Sequence, residues 1–337
     1  MKLGLRYGLS YRATVGIIAA IAVFCTVMSF VIGDAFVPFS AAALFVLFLL
    51  DRGEKKFVSL AASSILIVIN VAFFLLTLFT GVVVYSVAGL QTVVLAAVAA
   101  YMFSSNKSKG DTVVALTVIM TVFMLVSLWL TAATFTGSFS LTSAFEFFSS
   151  IIKDIRTAFI ELVASLSTEG ADGVTQLVFS EAQAAAMFDS AANLLVGSIL
   201  AFAFVMTGIM CKAFNVIALK CTDEPEAILR WRFNTTSIIA VFYCVLFLLN
   251  LFASGISSLF GIIISNLFIL FMLVYAYVGV NVAVAFFSMR RSKGFALAML
   301  IAGIIVFNVA LLELLSVVGA VLTIIGNRVL RQNGNQN

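Results

Sequence analysis

Apolar runs close to the length of a membrane span alternate with short polar breaks over most of the chain. A transmembrane α-helix needs about 20 mostly apolar residues, whereas a β-barrel shows alternating segments of about 10. Reading apolar runs against charged breaks places spans near 13–32, 36–50, 57–79, 82–103 and 112–135, and then near 190–212, 236–254 and 259–287. The second run is about 15 residues, roughly 22 Å of helix, and reads as a partial or tilted crossing that starts at Asp34 and Pro38. A tight turn at Thr80 and Gly81 makes the third and fourth spans antiparallel neighbours. The last run, Phe295 to Ile325, is long for one crossing. Two short helices turning near Asn308 to Glu313 are favoured there over one long tilted helix, because the turn returns Arg328 and Arg331 to the side of the other basic residues. The expected fold is all-α: a polytopic transmembrane helical bundle of 8–10 spans.

Ser138 to Ser190 breaks the pattern, scattering seven acids and two bases among short apolar runs. Phe148, Ile151, Ile152, Ile155, Phe159, Leu162, Val163 and Leu166 keep helix-face spacing, while Glu146, Lys153, Asp154, Arg156 and Glu161 fall elsewhere. This is an amphipathic helix too charged to span, expected in the membrane interface or leaning over the bundle as a lid. Residues 168–173, Thr-Glu-Gly-Ala-Asp-Gly, end it. Ser180 with Gln183 forms a capping box that starts a second helix running on into the next span. The chain is therefore one integral membrane domain: 1–137 with five spans, an amphipathic insert at 138–190, and 191–337 with the remaining spans and tail.

Composition agrees. With 63% hydrophobic and 10% charged residues, the chain has too little charge for a water-exposed surface. If the N-terminus is cytoplasmic, 17 of the 19 basic residues fall in cytoplasmic segments, and the other two, Lys153 and Arg156, lie in the insert. That bias predicts a bacterial cytoplasmic membrane protein with both termini cytoplasmic and the insert outside. It also explains the net charge of +4 without nucleic acid. The run from Ala13 is long enough to be retained as a helix rather than cleaved as a signal.

Four cysteines stand singly and histidine is absent, so no disulfide frame, metal cluster or cofactor is expected. Asn70, Gln91, Asn193, Asn250, Asn266, Asn281, Asn308 and Glu313 are the polar residues within apolar runs, where each side chain needs a partner. Asn193, Asn250, Asn266, Asn281 and Glu313 are the candidate small-molecule ligands; interhelical hydrogen bonds are the competing role of the amides. Gly16 with Ala20, Ala96 with Ala100 and Gly197 with Ala201 are small-residue pairs that let helices approach closely. Tyr243, Tyr275 and Tyr277 are candidates for an aromatic pocket or for packing. Neither a phosphate-binding loop nor a zinc-helix or nucleophile-elbow motif occurs, and no paired carboxylates are placed for acid–base chemistry. The expectation is a non-enzymatic protein in the bilayer that binds a small molecule for transport, energised by a separate ATPase subunit or an ion gradient. The alternative is a scaffold that holds a membrane partner.

The stretch Phe214-Asn-Val-Ile-Ala-Leu-Lys-Cys-Thr-Asp-Glu-Pro-Glu-Ala-Ile-Leu-Arg-Trp-Arg-Phe233 and the ending Leu311-Leu-Glu-Leu-Leu-Ser-Val-Val-Gly-Ala-Val-Leu-Thr-Ile-Ile-Gly-Asn-Arg328 resemble the DUF2232, or YybS-like, bacterial membrane proteins. The resemblance implies a multi-pass fold with an extracytoplasmic insert. It also implies a loose similarity to the substrate-binding subunits of energy-coupling-factor vitamin transporters.

Overall fold

A computed structural model describes residues 11–31, 34–50, 56–80, 86–165, 168–169, 175–176, 180–221, 237–253, 259–288 and 293–334. Gly81 of the expected Thr80–Gly81 turn, most of the Phe214–Phe233 motif and the side chain of Asn308 lie outside what is described. The chain forms two compact units, Met1–Ala192 with Phe202–Phe233 and Asn193–Ala201 with Asn234–Asn337.

The first unit contains α1 (Tyr11–Val31), α2 (Val37–Leu50), α3 (Lys56–Thr80), α4 (Ser86–Ser104), α5 (Lys109–Thr136), α6 (Leu141–Ser165), α7 (Glu181–Asn193) up to Ala192, and most of α8 (Leu195–Cys221). A 3-10 turn at Asp34–Phe36 leads into α2, whose Pro38 sits in the first turn, where its missing N–H costs nothing. All but two of the 14 residues of α2 are buried, so it is a core helix, apolar on every side. It is about 21 Å long against a hydrocarbon layer of about 30 Å, which agrees with the partial crossing expected.

Side-chain contacts align the helix ends. Tyr11 donates to Ser59 Oγ at 2.9 Å and to the Leu50 carbonyl at 3.3 Å, tying the start of α1 to the end of α2 and the start of α3. Thr26 and Ser40 hydroxyls pair at 2.7 Å, making α1 and α2 antiparallel. Phe45 stacks on Phe214 with centroids 3.9 Å apart, and Phe103 meets both edge-on. One end of the unit therefore carries Arg12, Lys109 and Lys212.

At the other end, α5 stops on Gly137 in the left-handed conformation (φ 68°), whose N–H donates to the Ala133 carbonyl at 2.9 Å. The amphipathic α6 follows and ends before a two-residue antiparallel ladder pairing Thr168–Glu169 with Thr175–Gln176. The capping box is present: Gln183 N donates to Ser180 Oγ at 3.2 Å, and Ser180 N donates to Gln183 Oε1 at 2.9 Å. The helix it starts does not run on into the next span. It ends at Asn193, and α8 begins at Leu195.

The second unit packs α9 (Ser237–Ala253), α10 (Leu259–Ser288) and α11 (Lys293–Gly334). Tyr243 stacks on Tyr275 and Phe268 with centroids 5.0 and 6.0 Å away, and Ala240, Met272 and Ala320 close this core. Tyr243 Oη also hydrogen-bonds Ser316 Oγ. Where α10 and α11 cross, a Cβ at Gly279 would overlap the Leu315 carbonyl and one at Gly319 the Tyr275 carbonyl.

The last helix corrects the expected hairpin in an instructive way. It is helical throughout, yet a Cβ at Gly303 would lie 2.9 Å from Leu311 Cδ2. Eight residues of straight helix rise about 12 Å, so the axis bends sharply between them. Packing agrees, because Tyr275 and Gly279 face Gly319 and Leu315, an antiparallel register. Extended straight, it would leave Lys293 roughly 20 Å beyond Ser288, whereas that five-residue step reaches at most about 18 Å. The bend lies a few residues ahead of the expected turn. It separates a first limb that starts at Lys293 from a second limb that runs antiparallel to α10. The end of α11 is thus level with the start of α10.

Among the described residues, α1, α3, α4, α5, α8 and α10 are long and apolar enough to cross a membrane, and α2, α9 and Ala310–Gly326 of α11 are shorter apolar helices. The all-α polytopic bundle stands.

Candidate functional site

The candidate amides divide by position. Asn266, on α10, donates through Nδ2 to the Asn193 carbonyl and to the Ile262 carbonyl, each at 2.8 Å, and its Oδ1 accepts from the Gly197 N–H. Asn193 is the last residue of α7 and Gly197 lies in the first turn of α8, so one side-chain amide bridges the break at Leu194. Both donors and one acceptor position of Asn266 are thereby used. The backbone groups it satisfies are those that a helix end leaves unpaired, which in hydrocarbon are costly. Gly197 permits the approach: a Cβ there would lie 2.7 Å from Asn266 Oδ1. Ala201, the other member of the Gly197–Ala201 pair, is buried.

One residue before Asn266, Ser265 donates to Asn250 Oδ1 at 3.0 Å. Asn193, Asn250 and Asn266 therefore belong to one neighbourhood. Asn281 and Glu313 do not. Asn281 is 15 residues further along α10, about 22 Å away, exposed, and bonded to the Tyr277 carbonyl of its own helix. Glu313 follows the bend of α11 within a turn, is half-buried, and accepts from Ser316 Oγ through its backbone carbonyl. A carboxylate beside a chain reversal fits an interface position. The five residues do not line one pocket, and sequence spacing could not have shown this, since it does not carry the α10–α11 register.

Asn70 and Gln91 are buried in the first unit. Asn70 bonds the Leu66 carbonyl at 2.8 Å, its backbone meets Gly89 closely, and Gln91 Nε2 reaches Met120 Sδ at 2.5 Å. Ala96 and Ala100 are buried, but Gly16 and Ala20 are exposed, and a Cβ at Gly16 would meet nothing within 4 Å. Tyr243 and Tyr275 form core and Tyr277 is exposed. Among the described residues no group of three His, Cys, Asp or Glu lies together.

Sequence reasoning missed the tie between α6 and α7. Arg156 Nε donates to Asp189 Oδ1 at 2.8 Å and its Nη2 to Oδ2 at 3.2 Å, a two-pronged bridge across 33 residues. The hydrogen bond from Arg156 and its charge hold the Asp189 carboxyl below the usual carboxylate range, and the bonded carboxylate raises the guanidinium further. A depressed carboxylate contributes order above its unfolded pKa and loses it as pH falls through the folded one. Spin labels on α6 and α7 are therefore expected to keep a narrow distance distribution from neutral pH into the acidic range and to broaden only below the usual aspartate value. Asp189→Asn is expected to be broad throughout.

The architecture defines an integral membrane protein of the polytopic helical class. Residues 18–321 match the family described as "Predicted membrane protein (DUF2232)", and the chain belongs to that family. No curated protein and no solved structure matches the chain.

Proposed function

We propose that the protein is a non-enzymatic component of the bacterial cytoplasmic membrane that binds a small molecule at the break between α7 and α8 and serves transport, as a transporter or its substrate-binding subunit. The observation that supports this reading is the interruption at Leu194, bridged by Asn266 with Asn250 beside it. Broken helices in transporters present backbone groups and short polar side chains to substrates within the bilayer. A ligand with amide-like donors and acceptors would engage Asn250 and the chain ends that Asn266 bridges. Energy would come from a separate ATPase subunit or an ion gradient.

The basic end of the first unit is placed in the cytoplasm and α6 with α7 outside, following the bias of positive charge.

Thermal unfolding in detergent across a library of vitamins and metabolites tests the binding reading. At least one compound is expected to raise the midpoint by several degrees, and Asn250→Ala to abolish the shift. A flat response across the library, with no small molecule co-purifying, would sink it. The scaffold reading rests on the outward-facing Gly16 and Ala20 of α1, which offer a close approach to a partner helix. Crosslinking in native membranes that recovers a stoichiometric protein from wild type but not from Gly16→Leu would favour it.

A further inference from the structure

We infer that α6 is an in-plane membrane anchor, its apolar stripe inserted among the acyl chains of the leaflet that holds the far end of α5. Three observations converge. First, α5 supplies a ruler. From Lys109 to Trp129 is 20 residues, about 30 Å, the thickness of the hydrocarbon layer. Trp129 then falls at the opposite interface, where Trp side chains concentrate. Its indole donates to the Phe139 carbonyl at 3.2 Å and meets the Phe139 ring at 5.9 Å, so the link to α6 starts at headgroup level.

Second, the outer side of the stripe on α6 is left open by the chain. Phe148, Ile151, Ile152, Phe159 and Val163 are half-buried, while Ile155 is 53% exposed and Leu162 58%, on one helix face, with Phe145 at its margin 76% exposed. A lid leaning on the bundle would bury them. Third, α6 follows a helix whose own surface is apolar and open. Val114, Val118 and Val122 form an exposed apolar row on α5, and Phe135 near its end, 70% exposed, stacks on Phe147, beside the stripe of α6, with centroids 5.5 Å apart. Glu146, Lys153, Asp154 and Glu161 lie off the stripe and are exposed, so a helix lying in the plane keeps them in water. A descent beside α5 would draw those charges into hydrocarbon.

The occupant of the stripe is therefore lipid, rather than a segment of this chain or a partner protein. The test uses the full-length protein in lipid nanodiscs, with a nitroxide placed singly at Phe145→Cys, Ile155→Cys and Leu162→Cys, and at Ser150→Cys, Asp154→Cys and Glu161→Cys. Collision with oxygen, enriched in lipid, and with a water-soluble nickel chelate, enriched in water, reports the depth of each. The stripe positions are expected to collide several-fold more with oxygen than with nickel, and the other three to show the reverse. Nickel-dominated collisions at all six positions would overturn the inference by placing α6 in water. Low collision with both reagents at the stripe would overturn it by showing a covering protein surface. Circular dichroism of each labelled protein, matching wild type, shows that the readings come from folded molecules.

Discussion

Gly279→Ala is expected to be among the most destabilising single-methyl changes in the chain. The added Cβ has nowhere to go, because the atom it meets is the Leu315 carbonyl of the facing helix and not the end of a flexible side chain. Relief requires α10 and α11 to separate, and separation loosens the Tyr243–Tyr275–Ala320 core and the Tyr243–Ser316 hydrogen bond. Overpacking typically costs about 1–3 kcal/mol, and a clash between backbones belongs at or above the top of that range. Gly319→Ala is expected to act the same way, since its Cβ would overlap the Tyr275 carbonyl. Gly208→Ala is the control: nothing lies within 4 Å of its would-be Cβ, so the change should be neutral or stabilising by up to about 1 kcal/mol through helix propensity. Thermal unfolding of the three variants in one detergent gives the comparison, and equal midpoints for Gly279→Ala and Gly208→Ala would refute the close crossing.

The second large effect is expected at Asn266. Replacement by Leu keeps the size but leaves the Asn193 carbonyl and the Gly197 N–H without their partner. An orphaned polar group in an apolar setting costs about 1–3 kcal/mol. Double-mutant measurements between membrane helices average nearer 0.6 kcal/mol, because the unfolded chain in the bilayer also finds partners. For the pair of groups the two figures bracket a loss of about 1–6 kcal/mol. Asn281→Leu removes only a bond to its own helix on an exposed surface and should change little. Hydrogen exchange at the start of α8 separates the cases, since protection there should fall in Asn266→Leu and persist in Asn281→Leu.

What the sequence made legible was what depends on local pattern. The spans, the short buried α2, the amphipathic α6 and the capping box at Ser180 all follow from spacing within one element, where chemistry and geometry are read from neighbouring residues. The break at Leu194 was not legible, because the apolar run continues through it and the residue that stabilises it, Asn266, lies 73 positions away. The bend in α11 was half legible. The length of the run announced that something other than one straight crossing was needed, but the direction of the second limb depends on Gly279 and Gly319 meeting. The positive-inside rule carries no information about that contact. The candidate site suffered most. Five polar residues in apolar runs look equivalent in sequence, yet three gather near the α7–α8 break while Asn281 and Glu313 sit toward the other end of α10 and α11.

The central claim is that the break bridged by Asn266 is where a small molecule binds. The most direct measurement is a high-resolution density map of the full-length protein in nanodiscs, prepared from membranes without ligand exchange. The account predicts a compact non-lipid density within hydrogen-bonding distance of Asn250 and of the backbone at residues 193–197. A neighbourhood filled by protein side chains alone, or by an acyl chain, would contradict it.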